Sequence, residues 1–291
     1  MRRRPLPKRD ESVPIQDIVQ ESTRIIEAAQ KQDITLRLFG GLAVRFHCPS
    51  ATHRALNRKY VDIDFMGFRK QSKNIQKLFI ELGYAPREIF NRLQGSRRLV
   101  FNDLENERRV DIFLSVFEMC HRFEFEKRLT IDKYTIPLAD LLVTKLQVVE
   151  MTEREYRDII ALMNDHSIGD SDAPETINAV YLASLCAGDW GIYKTFVTSI
   201  DNVLAALPQY ELAPESRELV ATRLKELRTR IEKQPKTLRW KLRAEVGEKK
   251  RWYDLPESDR EVVDSRTRPE ANKSGSGLGE SISSEERQST D

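Results

Sequence analysis

Cysteine is scarce in this chain: three residues in 291, Cys48, Cys120 and Cys186, far apart and with no Cys-x-x-Cys pair. So odd and scattered a set excludes a disulfide framework and a zinc knuckle, and it fits reduced thiols in a cytoplasmic protein. No stretch of about 18 consecutive apolar residues occurs, so no membrane-spanning helix is expected. The N-terminus is basic (Arg2, Arg3, Arg4, Lys8, Arg9) but no apolar segment follows it, and it does not read as a secretory signal. Aromatic residues make up only 8% of the chain, which leaves the core to aliphatic side chains. The four histidines (His47, His53, His121, His166) have no metal-ligand spacing. There is no Gly-x-Ser-x-Gly elbow and no Gly-x-x-x-x-Gly-Lys-Ser/Thr loop, which excludes an α/β-hydrolase nucleophile and a P-loop. With a formal net charge of +2, the overall balance neither demands nor forbids a polyanionic partner.

What is present is charge in quantity, 32% of residues, beside 40% hydrophobic residues, enough for a packed core under a heavily charged surface. Residues 15–30 carry apolar positions at helical spacing, 34–39 form a β-branched and aromatic run that ends at Gly40-Gly41, and 42–47 open another helix. A polar stretch over 49–58 reads as a loop, 60–67 as a strand, and 72–82 as a helix closed by Gly83. Residues 97–102 and 108–116 form a hairpin candidate, and 122–129 with 134–136 a second. From Leu138 the apolar period changes from two to 3.6, and Thr152-Glu153-Arg154-Glu155 is a capping box that starts a fresh helix to about Asn164. Further helical patterns cover 176–186, 193–207 and 214–231. The pattern predicts a flexible basic start (1–14), an α/β domain with a mixed sheet and flanking helices (15–137), an all-α half (138–262) and a disordered tail (263–291). Between Arg217 and Arg251 lie thirteen Lys or Arg against five Glu, either a solvated helix face or a phosphate-tracking surface.

The chemistry concentrates in Asp62-Ile63-Asp64. On a strand, side chains alternate, so Val61, Ile63 and Phe65 face the core while Tyr60, Asp62 and Asp64 face the other way. Two carboxylates one strand period apart repel each other unless a cation sits between them, and a divalent ion with hard oxygen ligands meets that need. Gly40-Gly41 follows a strand and opens a helix, where small residues let backbone N–H groups approach phosphate oxygens. Asp111 is a third strand acid. Val110, Ile112 and Leu114 claim the core face, which leaves Asp111 on the opposite face, either beside Asp62 and Asp64 or paired with Arg109.

A Gly-Gly turn after a strand, an Asp-x-Asp on the next strand and a later lone strand Asp resemble the DNA-polymerase-β-like nucleotidyltransferase superfamily. The segments are Phe39-Gly40-Gly41-Leu42-Ala43, Val61-Asp62-Ile63-Asp64-Phe65 and Val110-Asp111-Ile112-Phe113. Leu141-Leu142-Val143-Thr144-Lys145-Leu146-Gln147 and Arg157-Asp158-Ile159-Ile160 look like later motifs of its AbiEii-type branch, which includes toxins of toxin–antitoxin pairs. The resemblance spans roughly residues 34–165.

It implies a nucleotidyltransferase-like fold and transfer of NMP from an NTP, with Mg²⁺ or Mn²⁺. Carried over, Gly40 and Gly41 cradle the triphosphate, and Asp62 and Asp64 hold the metal ions. Asp111 ligates one ion near the acceptor hydroxyl, Lys145 reaches the phosphates, and Asp158 completes the site. Two departures stand out: Gly41 occupies a position where Ser supplies a hydroxyl, and the AbiEii branch does not reliably use a third strand acid. Arg45, Arg54, Arg58 and Lys59 flank the site in sequence as further phosphate ligands or as a charged loop surface. Three readings stay open. One is a toxin-like enzyme acting on RNA such as tRNA, with an antitoxin partner; the basic helical half favours a nucleic-acid acceptor. Another is an enzyme of the same fold acting on a small molecule such as an antibiotic. The third is an inactive nucleotidyltransferase-like binding module.

Overall fold

The computed structural model describes residues 12–254, so the expectations for 1–11 and for the tail beyond 254 lie outside the described residues. In chain order the elements begin with α1 (Ile18–Lys31), β1 (Leu36–Phe39), α2 (Gly40–His47), β2 (Asp62–Gly67), α3 (Ser72–Glu81), β3 (Ala85–Pro86) and α4 (Glu88–Gln94). Next come β4 (Arg98–Asp103), β5 (Arg108–Leu114), β6 (Val116–Glu118) and β7 (Arg122–Glu124). The helical part holds α5 (Leu138–Leu146), α6 (Glu153–Asp165), β8 (Ser167–Gly169), β9 (Thr176–Asn178), α7 (Ala179–Gly188), α8 (Trp190–Ala206), α9 (Pro214–Lys233) and α10 (Leu238–Val246).

The fold is mixed α/β. Five strands pair in the order β1-β2-β5-β4-β3, and β2 runs parallel to β5 while the other neighbours are antiparallel. Ile63, Phe65, Val110 and Ile112 are fully buried on one face of the two central strands, as strand alternation requires. Past Leu138 the chain is helical apart from the short parallel pairing of β8 with β9. One hydrophobic core extends from Ile25 to Ile231, so the change from strands to helices at Pro137 involves no break in packing.

Local chemistry accounts for the element ends. Asp17 caps α1 by accepting the Gln20 N–H at 2.8 Å. The β4–β5 turn is fastened by Asp103, which accepts the N–H groups of Glu105 and Asn106 at 3.1 Å and the Arg108 Nε at 2.9 Å. The capping box at Thr152 forms in full: Thr152 accepts the Arg154 N–H, and the Glu155 carboxylate accepts the Thr152 N–H at 2.9 Å.

Four details depart from the sequence pattern. Strand β2 starts at Asp62 rather than Tyr60, and Val61 is 45% exposed instead of facing the core. Residues 122–124 pair with β6, not with 134–136; Leu38 donates to the Tyr134 carbonyl at 2.8 Å and accepts from the Ile136 N–H at 3.0 Å, so that segment closes the outer edge of β1. Thr176–Asn178 is β9 rather than the first turn of a helix, because the Asn178 side chain accepts the Tyr181 N–H at 3.0 Å and places the N-cap there. Helices α4 and α10 have no counterpart in the periodicity reading, since each is short and leaves large apolar residues in solvent (Ile89, Leu93; Leu238, Leu242).

Candidate active site

The parallel pairing of β2 with β5 sets Asp64 directly opposite Asp111, and Asp62 opposite Arg109. Residues paired in register point to the same face, so Asp62, Asp64 and Asp111 share one side of the sheet. Asp62 is exposed at the start of β2, Asp64 is half-buried and Asp111 is buried. Burial, followed by the nearby Asp62 and Asp111 carboxylates, pushes Asp64 up to about 7, while Lys145 and Arg98 pull the other way.

Asp111 is clasped by two arginines. Arg98 reaches it at 2.8 Å from β4, and Arg109 from its own strand at 2.9 Å. Burial still leaves the Asp111 carboxyl above the ordinary carboxylate value, with Arg98 and then Arg109 opposing the shift. Among the described residues no group of three or more His, Cys, Asp or Glu is placed to hold a metal ion. In this structure the Asp111 carboxylate faces the Arg98 and Arg109 guanidinium groups. Asp62 and Asp64 are the acids with the right chemistry for a hard cation, because Mg²⁺ is commonly held by one or two carboxylates plus substrate phosphates.

The start of α2 closes the site on the other side. Gly40 has φ +70°, the left-handed region that glycine tolerates, and a Cβ there would lie 2.5 Å from the Asp64 Oδ2. A Cβ on Gly41 would collide with the Arg58 guanidinium. The two glycines thus make room for a carboxylate and a guanidinium against the first turn of a helix whose N–H groups attract anions. Arg58 stacks over the Tyr60 ring at 4.4 Å and donates to both Asp158 oxygens, at 3.1 and 2.9 Å. The Tyr60 hydroxyl is buried with no partner among the described residues.

Lys145 and Asp158 meet here too. The interruption of the helix between Leu146 and Glu153 separates α6 from α5, and the Lys145 Nζ lies 2.8 Å from the Asp158 Oδ2. Both are buried, so Asp158 is committed to Arg58 and Lys145 rather than standing free as a ligand. Arg45, Arg54 and Lys59 are not joined to this cluster by any ion pair among the described residues; Arg54 pairs with Glu211 at 2.7 Å on the surface. Arg98 escaped the sequence reading altogether. It is one strand away from the motifs, and only the β4–β5 register brings it to Asp111.

No protein-family model matches this chain, and no curated protein matches it. Among solved structures, the solution structure of the antibiotic-resistance factor ANT(2'')-Ia is similar at 12% identity over 74% of this chain and 94% of that one, with a TM-score of 0.29.

Two outcomes follow from this geometry. Gly40→Ala meets both a left-handed φ and the Asp64 carboxylate, and a thermal melt is expected to show a loss on the order of 1–3 kcal/mol. Gly41→Ala has only to displace the end of the Arg58 side chain, so its loss is expected to be smaller; equal losses would contradict this account of the turn. The second outcome concerns pH. With Asp64 raised to about 7, the folded chain binds that proton more tightly than the unfolded chain does. Stability of the metal-free protein should therefore fall as pH rises from about 4 to about 7. Asp64→Asn should flatten that slope in denaturant titrations across this range, and an unchanged slope would assign it to other groups.

Proposed function

We propose that this chain is a divalent-metal-dependent nucleotidyltransferase with the nucleotidyltransferase-like sheet, passing the nucleoside monophosphate of an NTP to an acceptor hydroxyl. The observation that carries the proposal is the meeting of Asp64 with the glycine-built start of α2, Asp62 lying on the same face of β2. Two carboxylates share a sheet face beside a helix N-terminus and a half-buried guanidinium, so groups that favour a cation adjoin groups that favour phosphate. A metal–triphosphate complex satisfies both.

Asp62 and Asp64 would hold the ion. Bound there, it would neutralise charge on the phosphates and on the departing pyrophosphate. The first N–H groups of α2 and the Arg58 guanidinium would bind phosphate oxygens. Placing Arg58 beside the positive end of α2 is unfavourable in isolation by about 0.3–1 kcal/mol, and Asp158 offsets that while holding the guanidinium in place. Lys145 and Arg98 lie near enough to Asp64 to lower its pKa, and they would add positive charge where the triphosphate sits. Asp111 positions Arg98 and Arg109 rather than binding substrate itself. The acceptor oxygen forms its bond to the α-phosphorus as the bond to the pyrophosphate oxygen breaks. The protein's contribution is to hold these groups in place and to balance charge.

Label transfer tests this reading. The full-length protein is incubated with Mg²⁺ or Mn²⁺, each α-labelled NTP in turn, and either total tRNA or a panel of hydroxyl-bearing small molecules including aminoglycosides. Transfer of label to one acceptor class is expected, and Asp62→Ala/Asp64→Ala should reduce it on the order of 10³-fold or more. Label on tRNA supports a nucleic-acid acceptor with toxin-like action, to which an antitoxin partner would answer; label on a small molecule supports an antibiotic-type enzyme. Transfer that survives in the double variant would overturn the site assignment.

A further inference from the structure

All three tryptophans of this chain, Trp190, Trp240 and Trp252, line one cavity of about 360 Å³ in the helical part. Its walls come from the α7–α8 junction, the first turns of α10, the β6–β7 turn and the segment 251–254. It is a built feature. The Asp254 N–H donates to the Cys120 carbonyl at 3.0 Å, and the Thr237 N–H donates to the Ala187 carbonyl at 3.1 Å. Gly191 is required where it stands, since a Cβ there would lie 2.7 Å from the Trp252 carbonyl oxygen. The Trp252 Nε1 donates to the Thr195 Oγ1 at 3.0 Å, which fixes that indole.

Four arginines line the same cavity, against two aspartates. Asp189 is already used as the N-cap of α8, accepting the Ile192 N–H. Arg122 is paired with Glu118 and Glu124, and Arg243 donates to the carbonyls of Gly247 and Lys250 while lying 4.7 Å over the Trp190 ring. Arg239 and Arg251 make no ion pair among the described residues. The Trp240 Nε1–H is buried with no acceptor among them.

The basic stretch 217–251 therefore divides in two. On α9, Arg228 pairs with Asp201 and Glu232, Arg230 with Asp170 and Glu226, and Arg223 donates to the Met163 and Asn164 carbonyls. Arg228 and Arg230 are thus neutralised in place, and Arg223 is held by backbone carbonyls. In the second half, Arg239 and Arg251, without an ion pair among the described residues, line a space to which the three indoles also contribute. Guanidinium groups bind phosphates, and indole faces accept stacked bases. A volume of about 360 Å³ falls within the size range of ligand pockets and fits a base with its phosphate. A folded duplex buries its base faces, so only unpaired nucleotides can use an indole wall.

We propose that this cavity binds an unpaired stretch of nucleic acid, with phosphates at Arg239 and Arg251 and a base against the tryptophans. It would thus select a nucleic acid as the acceptor for the transfer proposed above. The inference rests on that reading only for its purpose; binding itself requires neither NTP nor metal.

The test uses full-length protein carrying Asp62→Asn/Asp64→Asn, without NTP or metal, and reads intrinsic tryptophan fluorescence. Every tryptophan lines the cavity, so the signal reports on it directly. Short unstructured oligoribonucleotides and oligodeoxyribonucleotides are titrated separately, and the two arms show whether RNA or DNA is preferred. Quenching by single strands is expected, with weaker binding at higher salt. Blunt duplex and inorganic polyphosphate should give little or no quenching. Arg239→Ala/Arg251→Ala should weaken single-strand binding about tenfold or more with the melting temperature unchanged, and Arg239→Lys/Arg251→Lys should recover part of the loss. Single strands that leave the fluorescence unchanged, polyphosphate that quenches equally, or arginine variants that bind like the parent would each overturn the proposal. If quenching is seen but label transfer is not, the binding site stands and the enzymatic reading fails; the reverse result removes the cavity and leaves the enzyme.

Discussion

Asp64 and Asp111 stand directly opposite each other on two parallel central strands, and the negative charge concentrated there governs what surrounds them. Burial, and after it the neighbouring Asp62 and Asp111 carboxylates, disfavours the charged form of Asp64 and pushes it up to about 7. The protein answers on one flank with Arg98 and Arg109, which clasp Asp111. On the other flank Lys145 and Arg58 meet over Asp158, beside the first turn of α2. Between these flanks Asp62 and Asp64 have no guanidinium of their own among the described residues. The divalent ion of the proposed function would sit there.

Much of this was legible along the chain because it depends on local rules. Strand alternation put Asp62 and Asp64 on one face and Asp111 on the face away from Val110 and Ile112, and it needs only the period of two. The capping box at Thr152 is a four-residue signal, and it separates α5 from α6 so that Lys145 and Asp158 can meet. The hairpin of β4 and β5 followed from two alternating runs with a polar turn between them.

The rest depended on distance in sequence. Arg58 and Asp158 are one hundred residues apart, and nothing local indicates that the loop before β2 carries the clamp for a helix in the second half. Arg98 belongs to no motif; its reach to Asp111 is a consequence of sheet register. The neighbours of Gly40-Gly41 were out of reach for a related reason. The motif alone does not show that this turn also borders the Asp64 carboxylate and the Arg58 guanidinium. Charge counting along the chain likewise could not show which arginines of the stretch 217–251 are paired, because two of the acids that hold Arg228 and Arg230, Asp201 and Asp170, lie on other segments.

The central claim is that Asp62 and Asp64 hold a divalent ion together with a triphosphate. Calorimetric titration of Mn²⁺ into the full-length protein, with and without a non-hydrolysable NTP analogue, tests it most directly. The account predicts weak binding of the ion alone, tight binding once the analogue is present, and loss of that enhancement in Asp62→Asn/Asp64→Asn. Enhancement of equal size in the double variant, or none in the parent protein, would contradict it.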